Sequence, residues 1–187
     1  MKMLKKLLAV VLTGAMALTL LTACGSNAVT EKSIADALSD MAKAKGEKVT
    51  FTPRAKEREL ARKIAELIEK ESETATAADG KDSSNNAAEE ELNRILGIDD
   101  GGANEGNFVW VGTVVIDELG ASGQAFELLK EVLDTGDAYN YGSLEDKKPA
   151  DTRYMGSALC KAVDKGKPVT VRVIVVTAKA EEDKDKG

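Results

Sequence analysis

The chain has 187 residues, of which 26 are lysine or arginine, 32 are aspartate or glutamate and none is histidine. The absence of histidine excludes Ser-His-Asp and Cys-His catalysis, and it also excludes histidine-ligated zinc. The net charge of −6 makes nucleic acid and an anionic membrane surface unsuitable partners, because binding to phosphates requires a basic surface. The length suits one domain with a hydrophobic core of its own.

The first 23 residues have the organisation of an export signal. A basic stretch, Met1–Lys6, precedes the uncharged run Leu7–Leu21, which is shorter than the roughly 20 residues that span a bilayer. The string LTACG that follows, with Cys24 in fourth place, resembles a bacterial lipobox. The resemblance implies that signal peptidase II cuts before Cys24 and that its sulfur carries a diacylglyceryl group, on the extracytoplasmic face of the cell membrane. An ordinary secretion signal and a retained anchor helix are the alternatives.

The chain has two cysteines, so a lipidated Cys24 leaves Cys160 without a partner for an intramolecular disulfide. Cys160 belongs to an alternating stretch that predicts a strand, and we interpret it as a small buried thiol. The alternative is a reactive nucleophile, which would need a histidine or a nearby cation to activate it.

The domain is predicted to open with a helix. Thr30 is a suitable N-cap, and Ile34, Leu38 and Met41 recur at helical spacing before Gly46 ends the pattern. Residues 24–30 would then be a short lipidated tether, which places the domain close to the membrane.

A second helix is predicted over about Arg54–Glu71. A short extended piece, Lys48–Phe51, precedes it, with Thr52 as the expected cap and Pro53 as the first helical residue. We interpret the charge run of this helix as a solvated face: Lys56, Glu57, Arg58, Glu59, Arg62 and Lys63.

Residues 72–86 are polar and have no apolar period, which predicts a flexible loop. Asn86 and Glu89 then resemble a capping box that opens a short helix, and Gly97 ends this helix.

The second half mixes strands with one helix. Phe108–Ile116 is apolar on both faces, which favours a central strand. Gly120–Gly123 should start a helix that ends near Gly136. Its expected inward side chains are Phe126, Leu129, Val132 and Leu133.

A loop over Asp137–Thr152 leads to two strands, Arg153–Val163 and Pro168–Ala178, joined as an antiparallel hairpin. Residues 179–187 are mostly charged and are predicted to form a disordered tail. The element order therefore predicts one α/β (α+β) domain over residues 31–178, an α-β-α sandwich with helices packed on a small sheet.

The element order and several strings resemble the bacterial, secreted branch of the CAP superfamily (cysteine-rich secretory proteins, antigen five and pathogenesis-related proteins). The similarity covers about residues 33–178, and it includes NEGNFVWVG (104–112), which is similar to the family's G-E-N-I-A-x-G segment. The other strings are ALSDMAKAKG (37–46), VTFTPRAKERELARKIAELIEK (49–70), ADGKDSSNNAAEEELNRILGI (78–98), AFELLKEVLDTGDAYNYGSL (125–144) and TRYMGSALCKAVDKGKPVTVRVIVV (152–176).

The resemblance implies an α-β-α sandwich that has lost the family's metal site. In the family, two histidines and two acidic residues line a cleft and can hold a divalent metal. Here Ala75 stands where the first histidine would fall and Asp137 where the second would fall, while Glu105 resembles the acid of the G-E-N segment. We therefore expect no bound metal, no cofactor and no catalytic residue.

The sequence thus predicts a membrane-anchored lipoprotein with a non-catalytic binding or interaction domain. Its expected partners are the membrane, through Cys24, and an envelope polymer, a small molecule or a protein. The candidate ligand-binding cleft consists of Glu105, Trp110, Asp137, Tyr139 and Tyr141. For Trp110 the alternative is packing in the core, and for the two tyrosines it is an ordinary position in a loop.

Two other functions stay open at this point. An enzyme could use Glu105 and Asp137 around calcium or magnesium, provided that folding brings their carboxylates within a few ångströms. A purely structural envelope lipoprotein would instead have no cleft deeper than a side chain and no extensive apolar patch.

Overall fold

The computed structural model describes residues 29–77, 85–98, 101–116, 119–164 and 167–183; the predicted signal, Cys24 and most of the tether lie outside these ranges. Within them, four helices cover both faces of one mixed sheet, which confirms the α+β sandwich. None of the described helices is long and apolar enough to cross a membrane. The elements are α1 (Glu31–Ala44), β1 (Thr50–Pro53), α2 (Ala55–Ala77), α3 (Asn85–Leu96), β2 (Asn107–Val115), α4 (Ala121–Val132), β3 (Lys147–Pro149), β4 (Thr152–Asp164) and β5 (Lys167–Glu182).

The sheet has the order β1–β4–β5–β2, and β3 pairs with the far end of β5. β1 runs parallel to β4, whereas β2, β3 and β4 all run antiparallel to β5. β4 and β5 form the long hairpin that the sequence predicts, with Asp164 opposite Lys167. β5 is thus the spine of the sheet, since three strands pair with it.

Each face of the sheet supports a separate hydrophobic core. Ile174 and Val176 of β5 belong to the core under α1 and α4, while Val173 and Val175 belong to the core under α2 and α3. This alternation follows from the strand period of two, which sends successive side chains to opposite faces. A strand covered on both faces needs apolar residues at every position, as β5 has here.

α1 begins as predicted. Thr30 and Ser33 form a capping box, in which each side chain accepts a hydrogen bond from the other residue's backbone N–H, at 3.0 and 3.1 Å. Ile34 and Leu38 have no exposed surface. Burial of each such side chain contributes roughly 1.5–3 kcal/mol, so this face fixes α1 on the sheet.

The inward face of α4 differs from the predicted one. Leu129 and Val132 are buried as expected, but Phe126 is 55% exposed and Leu128 is buried. Leu128, Leu129 and Val132 form one helical stripe, and Phe126 falls outside it. The Lys130 ammonium instead lies 4.9 Å from the centre of the Phe126 ring, on the outside of the helix.

β2 is an edge strand, so its predicted central position was wrong. Among the described strands it pairs with β5 alone, although Phe108, Val109 and Trp110 are all fully buried. Helices cover both faces of β2, and the chain after α4 covers its outer edge. Burial on all sides therefore produces the apolar pattern that is typical of a central strand.

The bounds of α2 also differ from the prediction. Thr52 and Pro53 belong to β1, and α2 begins at Ala55 and continues to Ala77. Proline is tolerated in β1 because this strand lies at the sheet's edge. The predicted loop over residues 72–86 is wrong at both ends, since 72–77 belong to α2 and α3 begins at Asn85. The helix continues there because alanine and glutamate favour helix without an apolar stripe.

The predicted tail is wrong for its first four residues. Residues 179–182 extend β5, and they pair with β3, a strand that the sequence analysis did not foresee. Lys147 lies opposite Glu182 and Lys148 opposite Glu181. Opposite charges across a strand pair stabilise it, so the charged residues predicted to be disordered serve as strand partners.

Candidate functional site

Trp110 lies wholly inside the core beneath α1 and α4. Its ring stacks on Phe108 with 5.8 Å between ring centres, and its Nε1 donates to the carbonyl oxygen of Asp134 at 2.8 Å. Because Trp110 has no exposed surface, it offers no ring to a ligand. The structure thus favours core packing over the cleft for this residue.

Tyr139 and Tyr141 lie on opposite sides of the sheet. Tyr139 packs against the core under α2 and α3, whereas Tyr141 packs against the core under α1 and α4. Burial, together with the charge of Glu89, raises the pKa of Tyr139 to about 12. The two rings therefore do not line one cleft, and Tyr139 stays a neutral phenol at neutral pH.

Asn140, between the two tyrosines, hydrogen-bonds to β2 through its side chain as a neighbouring strand would through its backbone. Its side-chain Oδ1 accepts from the Val109 N–H at 3.1 Å, and its Nδ2 donates to the Asn107 carbonyl at 2.7 Å. The neighbouring Tyr139 N–H donates to the Val109 carbonyl at 2.6 Å. The sequence predicts only a loop at Asn140, because the partners of its side chain lie more than thirty positions away.

Glu105 and Asp137 are both exposed. Glu105 lies in the turn before β2 and accepts a hydrogen bond from the Gly101 N–H at 2.8 Å, while Asp137 ends a short 3-10 helix after α4. Among the described residues, no group of three or more cysteines and acidic side chains is placed to hold a metal ion. The geometry of Glu105 is that of a loop-stabilising acceptor.

The most concentrated polar cluster is formed by Arg54, Glu57, Tyr154 and Thr177. Glu57 is fully buried and accepts from Arg54 Nε at 2.6 Å, from Arg54 Nη2 and from the Thr177 hydroxyl at 2.7 Å. The Arg54 guanidinium carbon lies 3.9 Å from the centre of the Tyr154 ring. The cluster ties the start of α2 to both β4 and β5.

The charge of Glu57 depends on these partners. Burial by itself would raise the pKa of Glu57, but the hydrogen bonds from Arg54 and Thr177 outweigh burial and hold the pKa below its usual value. The prediction of a solvated face was wrong for Glu57, because the α2 face that meets the sheet includes this position. Since the Glu57 oxygens already accept three hydrogen bonds, the cluster is suited to holding the fold rather than to proton transfer.

Gly156 allows α2 to approach β4 this closely. A Cβ atom at Gly156 would lie 1.9 Å from the Arg58 backbone nitrogen and 2.2 Å from the Glu57 carbonyl carbon. Glycine is therefore required by the backbone contact itself.

Two further arginines are buried on the other face. Arg153 lies 4.4 Å from the centre of the Trp110 ring and donates through Nη1 to the Val132 carbonyl at the end of α4. Burial lowers the pKa of Arg153 to about 10, so it remains a cation, as suits a helix C-terminus. Burial also lowers the pKa of Arg172, which donates to Gln124 at 2.8 Å and to the Val29 carbonyl at 3.3 Å.

An open groove of about 450 Å³ runs along α1 where it meets the start of α4. Two exposed aspartates line it together with small and apolar side chains, and one of them, Asp36, forms an ion pair with Lys32 at 2.9 Å. Its lining residues are Ser33, Asp36, Ala37, Asp40, Met41, Ala44 and Ser122. None of the five predicted cleft residues lines this groove.

Cys160 is a buried thiol, as the sequence indicates. Only 2% of it is exposed, it packs in the core under α2 and α3, and burial raises its pKa to about 12. A thiol with this pKa stays protonated at neutral pH and is a poor nucleophile.

Comparison with known proteins adds no relative to this picture. No protein-family model, curated protein or solved structure matches the chain. The function must therefore be inferred from the chain's own residues and contacts.

Proposed function

We propose that this protein is a membrane-anchored extracytoplasmic lipoprotein whose CAP-like domain binds or interacts without catalysis. The observation that carries the proposal is the string LTACG, which ends an export-type signal and presents the Cys24 thiol for alkylation. Two acyl chains on Cys24 would anchor the chain stably, where a single chain gives only marginal binding.

The start of the domain supports an anchor close by. The capping box at Thr30 begins six positions after Cys24, and the Val29 carbonyl already accepts a hydrogen bond from Arg172. The chain between the lipid and the fixed part of the domain is thus five residues long. A tether of this length keeps the domain at the membrane surface.

Two features support the CAP-like, non-catalytic part of the proposal. Helices on both faces of a small mixed sheet agree with the sandwich that the resemblance implies. The positions that would match the family's histidines hold Ala75, within α2, and the exposed Asp137. The buried ionic cluster around Glu57 has its hydrogen bonds made within the fold.

Replacement of Cys24 tests the anchor. In Cys24→Ala, we expect no diacylglyceryl addition and no cleavage by signal peptidase II, because both steps require the cysteine sulfur. Intact mass and detergent phase partitioning of the wild type should show loss of residues 1–23, a gained diacylglyceryl mass and entry into the detergent phase. Cys160→Ala is the matched control and should be processed like the wild type.

An unmodified Cys24, or cleavage at a site other than the bond after Ala23, would contradict the anchor. Binding by the domain requires a separate measurement. Native mass spectra of the purified protein, with envelope polymer fragments, fatty acids or metal ions added singly, should show one class retained. If none is retained, the polymer and small-molecule versions of the proposal fail, and a protein partner or a purely structural role is left. Among the described residues, no hydrogen bond joins Glu105 to Asp137.

A further inference from the structure

The N-terminal end of the described chain is fixed at one place on the sheet. Arg172 of β5 donates from Nη2 to the Val29 carbonyl at 3.3 Å and from Nη1 to the Ser157 hydroxyl at 3.1 Å. Glu31 accepts from the Ser157 N–H at 2.8 Å, so the first turn of α1 is bound to β4 as well. The path of the chain from Cys24 into the domain therefore ends beside Ser157 and Arg172.

The length of the tether limits how the domain can face the membrane. Val29 lies five positions after Cys24, and an extended chain over that separation spans at most about 17 Å. Along β5, Lys167 lies five residues from Arg172, about 17 Å, whereas Glu182 lies ten residues away, about 34 Å. The tether can reach a membrane at the hairpin end of the sheet but not one at the β3 end.

The surface beside Val29 carries an exposed apolar side chain. Leu159 lies directly opposite Arg172 in the β4–β5 pair and is 50% exposed. Lys161 is exposed on the same face, nearer the hairpin turn, where its Nζ donates to the Thr170 hydroxyl at 2.8 Å. An exposed lysine of this kind can extend its ammonium group to a lipid phosphate. We call Val29, Leu159 and Lys161 the anchor-side surface.

Two acidic side chains that contact β4 on either side of Leu159 are engaged in the fold. Glu31 forms an ion pair with Arg58 at 2.7 Å in addition to its bond with Ser157. Glu69 accepts a hydrogen bond from the Lys161 N–H at 2.8 Å. These bonds direct both carboxylates at the protein rather than toward an approaching bilayer.

We infer that the anchor-side surface rests on the lipid bilayer, with Leu159 inserted among the lipid headgroups and the β3 end of the sheet pointing away. This inference rests on the proposed lipidation of Cys24, which holds the domain within reach. It assigns a fixed orientation to the domain, so that the groove along α1 and α4 would be presented to partners in a constant direction. A freely rotating domain would have no such preference.

Fluorescent labels on the full, lipidated chain test this orientation. The variants Leu159→Cys and Lys161→Cys place a thiol on the anchor-side surface, and Lys148→Cys is the matched control in β3 at the opposite end. Cys160 is buried and Cys24 carries the lipid, so each variant offers one accessible thiol. The labelled proteins are reconstituted in phosphatidylcholine vesicles with a minority of phosphatidylglycerol, with and without brominated acyl chains.

We expect the labels at positions 159 and 161 to shift to the blue on reconstitution and to be quenched by the brominated lipids, and the label at 148 to show neither change. Equal quenching at 148 and 159, or no quenching at 159 in vesicle-bound protein, would overturn the orientation while leaving the lipoprotein in place. If intact mass shows an unmodified Cys24, the proposed function fails and the orientation fails with it. Mass after labelling confirms that Cys160 has not reacted.

Discussion

β2 and β4 flank β5 in the antiparallel part of the sheet, and the edges that they turn away from β5 are covered in different ways. The outer edge of β2 is covered by the chain itself, through Tyr139 and Asn140, and by the Glu131 carboxylate, which accepts from Thr113 N–H at 3.0 Å. Beyond the short strand β1, the outer edge of β4 is covered at separate points by Glu31 and Glu69.

The difference shows two solutions to the same problem. An open strand edge can pair with another chain, and both edges here need a block. On β2, backbone and amide groups of a folded segment block Asn107 and Val109, and a carboxylate blocks only Thr113. On β4, two separate carboxylates make the block and leave Leu159 exposed between them. The β2 edge is therefore part of the core, and the β4 edge is a surface that can meet a partner.

The largest expected effect is at Gly156, where α2 rests on β4. In Gly156→Ala the added carbon would meet the Arg58 backbone nitrogen at 1.9 Å, so α2 must move, and we expect a loss of about 3 kcal/mol or more in the free energy of unfolding. Urea unfolding at neutral pH measures it.

Gly112→Ala in β2 is the matched control. Its added carbon would meet only side-chain atoms of Glu131, Leu128 and Ile174, at 3.2 to 3.3 Å, which can move by a few tenths of an ångström. If Gly156→Ala and Gly112→Ala lose the same free energy of unfolding, the backbone contact between α2 and β4 is not what makes Gly156 necessary.

Acid should weaken the α2 side before it affects the Asn140 contacts. Because the folded pKa of Glu57 is lowered, its stabilisation is present above its unfolded pKa of about 4.5 and is lost as pH falls through the folded value. Glu57→Gln should lose about 2 kcal/mol at pH 7, typical of a hydrogen bond to a charged group, and should show a flatter fall in stability below pH 5. Urea unfolding from pH 7 to pH 3 measures both effects.

Arg62→Gln on the exposed face of α2 is the control, since it removes a charge from surface ion pairs without touching Glu57. An identical pH dependence in wild type and Glu57→Gln would mean that the buried carboxylate is not the titrating group.

Asn140→Ala should open the β2 edge. It removes two hydrogen bonds to β2, and we expect a loss of about 1–2 kcal/mol together with faster hydrogen exchange of the Val109 amide. Asn140→Asp keeps the acceptor for the Val109 N–H but not the donor to the Asn107 carbonyl, so its stability should lie between those of the wild type and Asn140→Ala. Unchanged protection of Val109 in Asn140→Ala would show that the loop backbone alone closes this edge.

The smallest effect is expected for Glu69→Gln at the β4 edge. The amide oxygen can still accept from the Lys161 N–H, but it is a weaker acceptor than a carboxylate, so stability should change by less than about 1 kcal/mol. Hydrogen exchange of Lys161 should be faster while exchange of Val109 is unchanged. A change at Val109 as large as that at Lys161 would mean that the two edges are not independent.

Most elements could be predicted because their signals are local. The capping residue Thr30, the spacing of Ile34 and Leu38, and the alternation around Cys160 each involve neighbours in sequence. The candidate cleft had no such basis, because a cleft depends on which loops meet. Aromatic residues near a sheet edge occur both in hydrophobic cores and in binding sites. The local pattern of Trp110, Tyr139 and Tyr141 therefore does not distinguish the two.

By itself, the sequence determined the α+β class, the N-cap of α1 and the β4–β5 hairpin, since periodicity and turn chemistry act over a few residues. The export-type signal with its cysteine stays a prediction from the sequence. Only the tertiary structure decided that β2 lies at an edge, that Glu57 is buried and that Lys147 faces Glu182. Each of these depends on a partner far away in the chain. Burial by a distant helix or pairing with a distant strand leaves no mark in the local pattern of side chains.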